Sequence, residues 1–195
     1  PIRIRILRLT IRRIGSVPEN PNPDWALETT LDVEWAHALA PEANLLLVYA
    51  ASGRIGDLMQ AVDLAAGMGA DIVSMSWGVE ERFGQSALER IFRLYPSVSF
   101  VAAAGDQSAV PLYPSVSSQV LSTGGTSLIL SSAGVRISET AWYGGGGGPS
   151  QFFPIPPAQE LMEGIREKTG GMRGTPDVSF CADPDYGVAI YHSAS

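Results

Sequence analysis

Glu28 and Asp32 lie four residues apart in the stretch Trp25-Ala26-Leu27-Glu28-Thr29-Thr30-Leu31-Asp32-Val33-Glu34-Trp35-Ala36. On a helix, positions i and i+4 share a face and their side chains meet. Like charges at that spacing repel, so helix formation by itself gives no reason for the pair. Leu27, Leu31, Trp35 and Ala38 trace an apolar stripe beside it. Carboxylates set against such a stripe are poorly solvated and close together. One of them should then hold its proton above the free range, and the two should titrate as a coupled unit. That is the behaviour of a general acid/base site. Spacing alone leaves a plainer reading open, two solvated acids on an exposed helix face.

The elements that must position this pair follow from periodicity. Residues 15–24 carry three prolines in ten and read as a loop, from which Asp24 could cap the helix. Residues 2–13 begin with strict alternation and hold five of the 13 basic residues. They read as an amphipathic edge strand on which Arg discourages further pairing, rather than as a basic arm. After Pro41 the pattern runs strand (45–50), helix (55–68), strand (71–76), helix (85–95) and strand (97–104). Apolar strands separated by helices predict an α/β fold, a mostly parallel sheet flanked by helices on both faces. Functional groups in such sheets gather at the carboxyl ends of the strands. Two loops leave those ends, Ser76-Trp77-Gly78 and Ala104-Gly105-Asp106-Gln107, each with a glycine where another backbone could approach closely. Beyond residue 110 the pattern weakens: 120–130 is apolar but broken by Gly124-Gly125, and a five-glycine run at 144–148 leads into a proline-rich loop holding Ser150.

Composition sets limits. A length of 195 residues allows one domain with a sizeable core, and 45% apolar against 17% charged residues marks a globular chain. The net charge of -7 argues against a nucleic-acid partner. Cys181 is the only cysteine, which rules out an internal disulfide or a cysteine-based zinc site. No apolar stretch is long enough for a membrane-spanning helix, and no signal peptide is visible. The chain opens on Pro1, so a processed or cut start is expected.

Taken together, eight stretches resemble the sedolisins, the serine-carboxyl peptidases related to subtilisins. They are Glu28-x-x-Leu31-Asp32, Val73–Gly78, Ala103–Asp106, Tyr113–Ser117, Gly124–Ser127, Glu139–Trp142, the glycine run with Ser150 and Phe152, and Pro176–Ser179 with Ala182–Pro184. The resemblance covers 23–188 as a sedolisin-like core, with 1–22 matching poorly, and implies a subtilisin-like domain truncated at both ends. It makes Glu28 the general base, Asp32 its orienting partner, and Asp106 the oxyanion residue. A carboxyl can donate to an oxyanion only while it keeps its proton, so a site built of carboxyl groups should work at acid pH, where a histidine base would be charged and useless. Ser76, Trp77, Gly78, Ala104 and Gly105 would hold an extended peptide by strand addition.

The nucleophile is expected outside this chain, in a Gly-Thr-Ser motif past residue 195. The family's calcium site is expected there too, with no metal site or cofactor in the chain itself. Ser127 sits in Gly-Gly-Thr-Ser, but Leu128-Ile129-Leu130 follows instead of small residues and proline, and Ser150 reads as loop. Alone, the chain should not hydrolyse peptides. The resemblance implies a secreted monomer acting on peptides or proteins, free of membrane and nucleic acid; the alternative is an inactive peptide-binding relative. A Ser-His-Asp hydrolase has only His37 and His192 to draw on, both expected in solvent, and no Gly-x-Ser-x-Gly elbow is present. A phosphate cradle at the glycine run lacks a lysine and a following helix.

Overall fold

The structure is a computed structural model that describes residues 8–16 and 22–192; the alternating start of the basic segment, residues 2–7, lies outside them. The chain divides into two compact units, residues 1–70 with 189–195, and residues 71–188.

In the first unit, β1 (Leu9–Arg13) pairs in parallel with β2 (Leu45–Tyr49), from Leu9 opposite Leu45 to Arg13 opposite Tyr49. The Arg13 guanidinium lies 5.2 Å from the Tyr49 ring centroid. Between the strands runs α1 (Pro23–Leu39). Its cap is Asn22, not Asp24: the Asn22 side-chain oxygen accepts from the Asp24 and Trp25 amides at 2.8 and 3.3 Å. Pro23 takes the first helical position, where its missing N–H costs nothing, so the helix begins inside the expected loop. The apolar stripe of α1 is not a buried one, since none of its residues is fully buried and Leu27 is 45% exposed. The tail 189–192 holds α1 through polar contacts: Trp35 Nε1 donates to Ala189 O at 3.0 Å and the Tyr191 amide to Glu34 Oε2 at 2.9 Å. The core of this unit is α2 (Ile55–Gly67), which buries Leu58, Met59, Val62, Ala65 and Ala66 on one helical face.

The second unit is built on β3 (Ile72–Met75), β5 (Ser99–Ala103), β7 (Val120–Leu130) and β11 (Val178–Cys181), parallel in the order β11-β7-β5-β3. The antiparallel β8 (Arg136–Ala141) joins the far half of β7. Burial alternates along β3, with Ile72 and Ser74 exposed and Val73 and Met75 buried. The segment 85–95 is not one helix: a 3₁₀ turn over Gln85–Leu88 leads into α3 (Glu89–Leu94), whose Phe92 ring meets Phe100 edge-on at 4.9 Å. β7 runs unbroken through Gly124-Gly125. A Cβ at Gly124 would stand 2.5 Å from Pro176 Cγ and one at Gly125 2.8 Å from Trp142 Cε3, so these glycines admit neighbours rather than end the strand. The short β4 (Val79–Glu80) pairs with β6 (Leu112–Tyr113), and β9 (Gly148–Pro154) with β10 (Met172–Thr175), so Ser150 lies in a strand and not in a loop. Two short helices, α4 (Pro157–Glu160) and α5 (Ile165–Thr169), separate β9 from β10.

Two buried ionisable clusters stabilise this unit. The Arg173 side chain is 2% exposed and forks onto Asp177, Nη1 to Oδ1 at 2.6 Å and Nη2 to Oδ2 at 2.5 Å. Asp177 also accepts from the Ser122 amide at 2.8 Å and from Gln159 Nε2 at 3.1 Å. Burial pushes the Asp177 carboxyl up, but the Arg173 hydrogen bonds and charge and the Ser122 and Gln159 donors outweigh it and hold the carboxyl below its usual range.

Glu89 is the second, 2% exposed, with Oε2 accepting from Ser117 Oγ at 2.8 Å. Its Oε1 and the Tyr113 hydroxyl are both buried without a hydrogen bond of normal geometry. Burial raises the Glu89 carboxyl, against smaller pulls from Ser117, the Arg93 charge and Tyr113. The proton therefore binds the folded state more tightly than the unfolded one. Stability from this group is complete below the ordinary glutamate range and falls as pH rises through its raised value. Melting curves of Glu89→Gln and the parent should coincide near pH 4 and separate toward pH 7, the variant being the more stable. Curves that stay parallel would contradict the assignment.

Candidate active site

Glu28 and Asp32 occupy α1 one turn apart, Glu28 half-buried and Asp32 exposed. The i,i+4 spacing therefore does put both acids on one helical face. Asn22 fixes the first turn of that helix, so the pair sits on a capped and registered element rather than on a loop. His37 lies further along α1 and is half-buried with a buried Nδ1, which differs from the expectation of a solvent position. His192 is exposed, with Nδ1 3.3 Å from Thr30 Oγ1.

The remaining predicted residues belong to the second unit. β3 and β5 are in register, Met75 opposite Ala102, so Ser76–Gly78 and Ala104–Asp106 leave the same carboxyl edge of the sheet. Ala104 is fully buried, and its amide donates to Thr123 O at 2.8 Å, which anchors the start of the second loop to β7. Gly105 then turns with φ +106°, a conformation that residues with side chains rarely adopt, and Asp106 is exposed. Both loops continue into the β4–β6 ribbon, where Val79 faces Tyr113 and Glu80 faces Leu112. Leu112 fills the gap between them: a Cβ at Gly78 would stand 2.9 Å, and at Gly105 2.6 Å, from its Cδ1. The structure thus brings Gly78 and Gly105 against one apolar side chain, an arrangement that leaves backbone groups of both loops near each other. Trp77 is half-buried.

The glycine run forms the outer support of the Asp106 loop. The Gly146 amide donates to Gly105 O at 2.5 Å, the Ser108 amide to Gly144 O at 3.1 Å, and Ser108 Oγ to Tyr143 O at 2.8 Å. Sequence reasoning did not connect this run to Asp106, because five glycines without side chains leave no periodic signal. Ser127 and Ser150 are both engaged elsewhere. Ser127 Oγ donates to Asp183, which caps the turn Pro184–Tyr186, and Ser150 Oγ donates to Glu81 Oε1 at 2.5 Å while accepting from the Phe153 amide at 2.8 Å. Each hydroxyl thus makes a local contact within the second unit. Among the described residues no cluster of three or more His, Cys, Asp or Glu is placed to hold a metal ion, and no helix is long and apolar enough to cross a membrane.

The mostly parallel sheet with its flanking helices is that of a subtilisin-like α/β fold. The chain belongs to the subtilase family, whose profile matches residues 20–173. Within that family its relatives are sedolisins. Kumamolisin of Bacillus sp. (strain MN-32) is 34% identical over 88% of this chain and 35% of its own length. Sedolisin of Pseudomonas sp. (strain 101) is 36% identical over 41% of this chain and 15% of its own length. The solved structure of Pseudomonas sedolisin, a serine-carboxyl proteinase complexed with two molecules of pseudo-iodotyrostatin, superposes with a TM-score of 0.77 at 25% identity, covering 94% of this chain and 60% of that one. The chain spans about a third of the kumamolisin it matches.

Proposed function

We propose that this chain carries the carboxyl part of the catalytic apparatus of an acid-acting serine endopeptidase of the sedolisin class. Glu28 is the general base, Asp32 orients it and shares its proton, and Asp106 is the oxyanion donor. Ser76–Gly78 and Gly105 bind the substrate backbone, while the buried Ala104 anchors the start of the second loop to β7. The attacking serine is supplied from sequence outside the 195 residues. The observation that carries this reading is the Glu28–Asp32 pair, one turn apart on a capped helix in a chain of the subtilase family.

The chemistry is coherent. The base must be ionised to accept the serine proton, and the oxyanion acid must be neutral to donate. Both conditions hold together only in the acid range, so activity should be confined there. The resemblance implies a bound calcium ion. The described residues do not provide a cluster for it, and no step here runs through it. The partner is a peptide or protein substrate, the protein acts as a monomer, and it is secreted.

The test is peptide hydrolysis by the product of the full coding sequence, with Asp106→Ala beside it. Asp106→Ala should lower kcat about 10²–10³-fold, the usual effect of removing one oxyanion donor. Peptide binding without turnover at any pH would favour the inactive binding relative instead.

A further inference from the structure

The glycine run has no part in the reaction as drawn above, yet its backbone reaches the loop that carries Asp106. We propose that Gly146 is a positioning residue for Asp106, acting through Gly105. The proposal rests on the oxyanion assignment of Asp106.

Gly146 donates its amide to Gly105 O at 2.5 Å. A Cβ at Gly146 would stand 2.5 Å from Ala104 O and 2.6 Å from Gly105 O. Both obstructing atoms are backbone oxygens, and Ala104 is itself held to β7 by its amide bond to Thr123 O. No flexible side chain can swing aside to make room. One methyl group therefore cannot be accommodated without separating the two backbones. The neighbouring glycines serve different purposes. Gly144 makes room for the Trp142 ring, with a Cβ 2.5 Å from Cζ2, and Gly147 makes room for Thr175 O, with φ +134°. Gly146 adopts no left-handed conformation, so alanine there tests space and not backbone strain.

The support has a second tether. Ser108, two residues beyond Asp106, donates its amide to Gly144 O at 3.1 Å and its hydroxyl to Tyr143 O at 2.8 Å. Asp106 is thus bracketed by Gly105 and Ser108, both bonded to the 143–146 backbone. Asp106 is exposed, so its position depends on this bracket rather than on packing around its side chain. An oxyanion donor must stand within a few tenths of an ångström of its place, and a shift of about 1 Å can cost about 10²-fold in rate.

The experiment is a double-mutant cycle in the full-length protein, measuring kcat and KM. Gly146→Ala should lower kcat about 10- to 100-fold, with a smaller rise in KM because the Gly105 backbone it displaces also faces substrate. In an Asp106→Ala background the same change should cost nothing further in kcat, because the group it positions is gone. Gly56→Ala, on α2 with nothing within 4 Å of its Cβ position, should leave both constants unchanged. Wild-type kcat in Gly146→Ala, or losses that multiply in the double variant, overturns the positioning role. Wild-type kcat in Asp106→Ala overturns the oxyanion assignment itself, which is a separate result. Should Gly146→Ala fail to fold, Ser108→Ala runs the same cycle. A few-fold loss of kcat that vanishes with Asp106→Ala supports the bracket, and a loss that persists there overturns it.

Discussion

In the full-length protein, Glu28→Gln lowers kcat about 10³–10⁴-fold while the fold stays intact. Glutamine keeps the volume and one acceptor oxygen of glutamate, so α1 loses neither its cap at Asn22 nor its length. A half-buried helical position with an isosteric change shifts stability by no more than about 0.5 kcal/mol, or about 1–2 °C in melting temperature. What disappears is a group able to take a proton from the attacking hydroxyl. The residual rate comes from the oxyanion donor and from substrate binding, which the substitution does not touch. Asp32→Asn should fall between the parent and Glu28→Gln, since an orienting partner acts through the base rather than on the substrate. Near-parental kcat in a folded Glu28→Gln enzyme contradicts the assignment.

Asp177→Ala has the largest expected effect on stability, a loss of about 3–5 kcal/mol, because it leaves the buried Arg173 guanidinium without its counter-charge. For a domain of this size that corresponds to a fall of roughly 6–20 °C in melting temperature. Arg173 is 2% exposed, so water cannot replace the lost carboxylate, and Gly174 O and Val120 O are the acceptors that remain. Adding Arg173→Met to Asp177→Ala should recover part of the loss by removing the stranded charge. A double variant less stable than Asp177→Ala contradicts the account. The pH dependence has the opposite sign to that of Glu89. A carboxyl held below its usual range gives stability that is complete above that range and is lost as pH falls through the lowered value. The pair therefore stays ionised further into acid than an ordinary aspartate would, which suits a protein proposed to work there.

The sheet was legible in the sequence wherever strand and helix alternate with simple periods. β2, α2, β3 and β5 fall within a few residues of expectation, and Ser76–Gly78 and Ala104–Asp106 follow the carboxyl ends of β3 and β5. The Glu28–Asp32 pair was found because i,i+4 spacing is a local property that needs no tertiary contact. What escaped was set by contacts between distant residues. Gly124 and Gly125 read as a break, yet Pro176, Trp142 and Ala182 press on them and β7 continues. Asn22 outcompeted Asp24 as cap because Pro23 already begins the helix. Asp177 was noticed as part of a motif, but its fork with Arg173 at i−4 across β10 and β11 has no sequence signature. Glu89 carries no sequence signal, because its partner Ser117 lies 28 residues further along the chain. The role of 144–148 depended on the 105–108 backbone, about 40 residues away in sequence, and side-chain pattern carries no trace of a backbone-to-backbone contact.

The pH dependence of kcat/KM for the full-length protein on a peptide substrate tests the all-carboxyl site most directly. A bell lying wholly in the acid range is expected, limited below by protonation of the Glu28–Asp32 pair and above by loss of a proton from the carboxyl groups. A profile that rises through pH 6–7 to a neutral or alkaline plateau, as a histidine base would give, contradicts it.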